Sequence, residues 1–217
     1  MAGAADRQEL LTALTTEHFT LQGARSQTMS ETSSRTTLYI GAVSSTLVAL
    51  GFIGQVSNVG DAFDVFALTV LPTLYVLGAF TFIRLVECGA EDFRYGLAIN
   101  RIRGYYRELA GDQASLFLLS GHDDGRGVFE NMGVPVEGRS QLFSFATVVA
   151  IINSVIGGSA VAIAAGVLGA PLGAAAAIGG VVAIVSVLGW VRLAARLLTR
   201  RTAGIEPMFP SRTSARR

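Results

Sequence analysis

The chain has 217 residues, 51% of them hydrophobic and only 15% charged, with a mean hydropathy of +0.50 and a formal net charge of +1. A soluble domain of this length carries about 25% charged residues, so the composition argues for a membrane protein, and the near-neutral charge gives no footprint for duplex nucleic acid. One cysteine, Cys88, excludes an intrachain disulfide and any cysteine-cluster metal site.

The first 37 residues mix Asp6, Glu9, Glu17 and Glu31 with Arg7, Arg25 and Arg35, and no apolar core of signal-peptide length lies near the start. The first hydrophobic segment is therefore expected to stay as an anchor. Leu10, Leu14 and Leu21 share one helical face, widened by Leu11 and Phe19, which predicts a helical arm from about Asp6. It could run unbroken into the membrane and pack beside the helix over 84–110. The Ser/Thr-rich stretch 30–37 weakens that expectation, because such residues are mediocre helix formers in water.

Four apolar runs follow, at about 38–56, 65–83, 142–166 and 172–191, none with a charged residue. Nineteen residues rising about 1.5 Å each give roughly 28 Å, close to the thickness of a hydrocarbon core. Backbone groups in lipid have no water partners, so each span must be helical. Aromatic residues stand near the span ends, among them Tyr39, Phe52, Phe66, Phe82, Phe143, Phe145 and Trp190. Ser140 is placed to cap span three and Pro171 to open span four. Pro72, inside span two, should free the carbonyl of Leu68, with Thr69 and Thr73 beside it.

Arginine supplies every basic residue. Three lie before span one, seven between spans two and three, and seven after span four; the two short loops 57–64 and 167–171 hold none. The positive-inside rule then places both termini and the middle segment in the cytoplasm of a multi-pass inner-membrane protein. The expected fold class is an all-α integral membrane protein. It has two transmembrane helical hairpins (four spans) with cytoplasmic helical extensions. Its segments are an arm (1–37), hairpin one (38–83), a cytoplasmic helix and loop (84–141), hairpin two (142–191) and a basic tail (192–217).

In the middle segment, Leu85, Cys88, Asp92, Tyr95, Ile99, Ile102, Tyr106 and Leu109 recur at alternating spacings of three and four, a heptad-like stripe with one charged member. It would pack within this chain's own cytoplasmic bundle or form a seam with a partner. Arg94, Arg101, Arg103 and Arg107 could bind phosphates or acidic headgroups, or pair with the acids among them. Asp112 can cap a short helix over 112–119, and the loop from Gly121 to span three is flexible by composition. His122, Asp123 and Asp124 could in principle hold a metal or act as acid and base, but three adjacent loop residues seldom converge on one ion, and a polar turn is the expectation. Arg192, Arg196 and Arg200 share a face, suited to the anionic inner leaflet or to topological anchoring alone.

Within the spans, Gly158 and Ala162, and Gly169, Gly173 and Ala177, sit four apart and would let helices approach closely, inside this chain or between copies. Asn153 is the strongest polar group in a span and could bond across helices. The absence of ionisable residues from the spans argues against a proton- or ion-coupled transporter. No phosphate-binding glycine loop, nucleophile elbow, HExxH or CxxC is present, so neither a cofactor nor an enzyme is expected.

The junction ETSSRTTLYIGAVSSTLVALGF resembles small bacterial membrane effectors of cyclic-nucleotide defence, the Pycsar transmembrane effectors and the related SLATT proteins. The resemblance covers this junction and the coupling of a helix to a following transmembrane hairpin. The second hairpin departs from it. The stretches FIRLVECGAEDFRYGLAINRIRGYY and LLSGHDDG also resemble uncharacterised four-span membrane proteins of high-GC bacteria. The heptad-like stripe, the small-residue faces and the first resemblance together motivate a non-enzymatic, signal-responsive effector that acts by self-association in the bilayer, and the resemblance alone brings in a nucleotide ligand. The alternatives are a scaffold or regulatory subunit for another membrane protein, and a small-solute channel or transporter.

Overall fold

The computed structural model describes residues 3–133 and 144–211. The described chain is all-helical, without a strand, and four of its helices are long and apolar enough to cross a membrane. They are α1 (Ala4–Val56), α2 (Asp61–Ala110), α4 (Phe145–Val167) and α5 (Leu172–Thr202); a short α3 (Gly125–Asn131) and a 3-10 turn (Gly111–Leu116) complete the set.

Helix α1 runs through the Ser/Thr-rich stretch without a break. Its hydroxyls fold back onto the helix: Thr28 donates to the Ala24 carbonyl at 3.1 Å and Thr36 to the Thr32 carbonyl at 2.8 Å, and both residues are buried. Burial overrides weak propensity here, because a hydroxyl bonded to its own helix can be buried without an orphaned donor. In α2, Thr69 and Thr73 donate to the carbonyls of Val65 and Thr69, four residues back in each case, and neither bonds the Leu68 carbonyl beside Pro72. Gly111, with φ +52°, ends α2 in the left-handed region that glycine adopts at no steric cost.

The chain divides into two compact units, which α1, α2 and α5 all enter. One comprises Thr32–Glu87 and Leu142–Thr199. Its core gathers Tyr39, Val43 and Leu50 of α1, Leu71, Leu74 and Phe82 of α2, and Val149 and Ile156 of α4, with Trp190 of α5 against the Phe82 ring at 4.8 Å between centroids. Glycines set the close approaches. A Cβ on Gly158 would stand 2.5 Å from the Gly179 carbonyl oxygen, and one on Gly157 would stand 2.8 Å from the Tyr75 ring. Gly169, in the turn before α5 with φ +90°, and Gly173 have open space around them, so of the glycines singled out for packing only Gly158 serves it within this unit. The outward faces carry large apolar side chains, including Leu47, Val48, Phe52, Phe80, Val155, Val181 and Ile184, as surfaces against lipid require.

The start of α4 is Phe145, capped by Ser144, whose hydroxyl accepts from the Thr147 amide at 3.3 Å. Ser140, Phe143 and the expected span start at 142 lie outside the described residues. Pro171 precedes α5, and its carbonyl accepts from the Ala175 amide at 2.9 Å. The other unit comprises Met1–Glu31, Cys88–Gln141 and Arg200–Arg217. It holds most of the candidate site residues.

Candidate functional site

In this second unit α2 is covered on two faces. The heptad stripe meets α1. Asp92 accepts two bonds from Arg25, from Nε at 2.7 Å and Nη2 at 3.2 Å, and the Thr15 and Tyr106 hydroxyls lie 3.2 Å apart. The polar member of the stripe is thus the one that fixes its register against α1 with a forked, part-buried pair.

The second face is Gly96, Asn100 and Gly104, four residues apart, and it receives the segment after α2. Val128 of α3 sits on Gly96, where a Cβ would stand 3.0 Å from its Cγ1. Asn100 is buried; its amide donates to the His122 carbonyl at 2.9 Å, and its oxygen accepts from Arg103 and from Asn131 at 2.9 and 2.8 Å. Asn131 also clasps Ser120, donating to its carbonyl at 2.9 Å and accepting from its amide at 2.7 Å. Asn100 and Asn131 escaped the sequence reading. The signal that could have found the first was the small–polar–small spacing of Gly96, Asn100 and Gly104 beside the apolar stripe.

Two expectations fail here. Asp112 does not cap a helix: the 3-10 turn begins at Gly111 with no side-chain cap, and the chain is extended by Phe117. The left-handed Gly111 starts the turn one residue early, and Arg107 pulls the chain out of helix by donating to the Phe117 carbonyl at 2.7 Å and the Leu119 carbonyl at 3.4 Å. Nor is 121–133, the described part of the segment after Gly121, a loose loop. Asp124 caps α3, accepting from the Gly127 amide at 2.9 Å, and a Cβ on Gly127 would collide with the His122 carbonyl. The loop is polar in composition because its polar groups are ligands for backbone.

Asp123 is 1% exposed and is the centre of this cluster. Its carboxylate accepts from Arg101 Nε, from the Met208 amide at 3.0 Å and from the Phe209 amide at 2.7 Å. Its own amide donates to the Phe209 carbonyl at 3.3 Å. His122 Nδ1 lies 3.2 Å from the same carbonyl; a carbonyl only accepts, so Nδ1 carries a proton in this contact. Asp124 accepts from the Ser211 amide at 2.6 Å, and Arg101 Nη2 donates to the Glu206 carbonyl. The adjacent acids therefore diverge onto peptide groups, and among the described residues no group of three His, Cys, Asp or Glu side chains could hold a metal ion.

The four arginines of the α2 face do not act together. Arg101 serves the Asp123 cluster, while Arg94 is exposed. Arg103 donates to the Asn100 side chain and the Ser120 carbonyl, and Arg107 to backbone carbonyls, so neither meets a carboxylate among the described residues. Burial, then the positive charges of Arg107 and Arg25, push the Arg103 guanidinium below its ordinary pKa. His18 of α1 is held below the usual imidazole value by burial and then by Arg103. On α5, Arg192, Arg196 and Arg200 are all exposed.

Asn153, in the unit of Thr32–Glu87 and Leu142–Thr199, is fully buried. Its oxygen accepts from the Tyr39 hydroxyl at 3.2 Å, and a Cβ on Gly78 would stand 2.2 Å from that oxygen. Its amide nitrogen has no hydrogen-bond partner among the described residues. No protein-family model, no curated protein and no solved structure matches the chain.

Proposed function

We propose that the protein is a non-enzymatic, signal-responsive effector of the inner membrane, in which a helical unit on the cytoplasmic side biases the packing of two transmembrane hairpins. The observation that carries this reading is the continuity of α1 and α2. Each is one unbroken helix, of 53 and 50 residues, with one end in the Arg25–Asp92 unit and the other in the apolar unit. A change in how the two helices pair at Asp92 would bear on spans that belong to the same helices. Arg103 and Arg107, which meet no carboxylate among the described residues, suit an anionic signal of the nucleotide class that the effector resemblance implies. On α5, Gly173, Ala177 and Gly180 are exposed and would let a second copy approach closely.

The orientation is tested with single cysteines. Cys88 itself is a poor probe, being 1% exposed. In a Cys88→Ser background, Val59→Cys should react with an impermeant maleimide on intact spheroplasts. Arg94→Cys should react only after permeabilisation, and the reverse pattern would invert the topology. The effector reading is tested by dye-reported membrane potential during induced expression, with and without a cyclic-nucleotide synthase. Nucleotide-dependent depolarisation that disappears in Arg103→Gln/Arg107→Gln supports it. An unchanged potential with the protein present in the membrane removes it and favours the scaffold alternative. A solute channel has less support, since Asn153, the strongest polar group in the spans, is packed against Gly78 and Tyr39.

A further inference from the structure

Residues 205–211, Ile-Glu-Pro-Met-Phe-Pro-Ser, lie beyond the end of α5 and the left-handed Gly204 and form neither helix nor strand. They are bound as a peptide is bound. Between 207 and 211 the segment has three amide donors, at Met208, Phe209 and Ser211, and all three are taken by the carboxylates of Asp123 and Asp124. The two remaining positions are prolines, which have no amide to satisfy. The acceptors of the receptor thus match the donors of the segment one for one. The Phe209 ring lies on Gly104: a Cβ there would stand 2.5 Å from its Cδ2 and 2.8 Å from the Gly121 carbonyl oxygen, so only glycine leaves room for the ring. Met208 between them is 69% exposed, so the site reads Phe209 and the backbone and leaves the methionine in solvent.

We propose that Arg101, Gly104, Gly121, His122, Asp123 and Asp124 form a peptide-recognition site for a short Pro-x-Phe-Pro segment bent at Met208 and Phe209, and that this chain's own 205–211 segment occupies it in cis. The recognition combines charge-assisted bonds from backbone amides to the Asp123 and Asp124 carboxylates with one aromatic anchor, so backbone shape and Phe209 are read together. Cis occupancy follows from the tether: a segment a few residues from the end of α5 is presented at an effective concentration in the millimolar range.

The test uses the full chain in detergent and a fluorescein-labelled peptide, Ile-Glu-Pro-Met-Phe-Pro-Ser, read by anisotropy. The Phe209→Ala protein, whose tail has lost its anchor, should bind this peptide at least about tenfold more tightly than the wild-type protein does. A second peptide with alanine in place of phenylalanine should bind the Phe209→Ala protein at least about tenfold more weakly than the first. Both contrasts leave the receptor residues untouched, so they do not depend on a core variant folding. Equal binding of the two peptides, or no binding to Phe209→Ala protein at millimolar peptide, would overturn the site. Equal binding to wild-type and Phe209→Ala protein would overturn its occupation by the tail. Blocking in the wild type that fades on dilution of the protein would overturn cis occupancy in favour of the tail of a second copy.

Discussion

Asp92 of α2 accepts two bonds from Arg25 of α1, from Nε at 2.7 Å and Nη2 at 3.2 Å. Asp92 stood out as the one charged member of an apolar stripe, but only the structure pairs it with Arg25, 67 positions earlier. With side-chain exposures of 31% for Arg25 and 12% for Asp92, the pair is neither a surface ion pair nor a fully desolvated one. Removing Asp92 strands a guanidinium already near Arg103, so Asp92→Ala should destabilise the protein by about 2 kcal/mol. Thermal unfolding in detergent reads this, and Arg25→Ala/Asp92→Ala should recover part of the loss. His18 gives a pH prediction. Its pKa is lowered from 6.5, and its Nε2 lies 2.7 Å from the Gln22 side-chain amide nitrogen, which can only donate. The fold favours neutral imidazole, so its stabilising effect is complete above pH 6.5 and is lost as the pH falls below that value. Between pH 7.5 and 5.5 the wild type should lose more stability than His18→Gln. An equal loss would show that His18 does not contribute to the pH dependence.

Among the elements, the long helices were read correctly in kind and short pieces were misread at their ends. A 3.6-residue period and an apolar run extend over many turns, so single-residue uncertainties average out. The 111–131 segment has no such redundancy: one left-handed glycine and one arginine reaching back to two carbonyls decide its course. The turn joining α1 to α2 is decided at the same level. Asn58 and Val59 both have positive φ, 50° and 55°. Asparagine tolerates this region, whereas a β-branched residue there is strained. Val59→Gly should therefore stabilise the turn by about 1 kcal/mol, measured as a raised denaturation midpoint. Between α2 and α4 the spacing is set by the absence of a side chain. Gly78→Ala would drive a methyl into Asn153 and the Tyr39 hydroxyl and should cost about 3 kcal/mol. Gly189→Ala, with open space around it, serves as the control without a clash.

At the scale of the molecule, the two units give a test of the transducer reading that needs no ligand. Asp92→Ala acts in one unit and Gly78→Ala in the other, and the two sites share no hydrogen-bond partner among the described residues. Independent sites add within about 0.5 kcal/mol. If α1 and α2 transmit strain as the proposed effector requires, the double variant should deviate from additivity by about 1 kcal/mol. Strict additivity would count against it.

The sequence by itself determined the class of the molecule: all-helical, with four helices able to cross a membrane. Hydropathy and the need to satisfy every backbone group in lipid are local constraints that composition and period record directly. Which glycines pack, which arginines pair and what the His122–Asp123–Asp124 run does were decided only by tertiary structure. Gly158 and Gly169 carry the same signal in the sequence, yet only Gly158 meets a neighbouring backbone. Asp123 takes its meaning from Arg101, Met208 and Phe209, groups 22, 85 and 86 positions away. A carboxylate is defined by the donors around it, and chain folding brings those donors together from distances that no local pattern encodes.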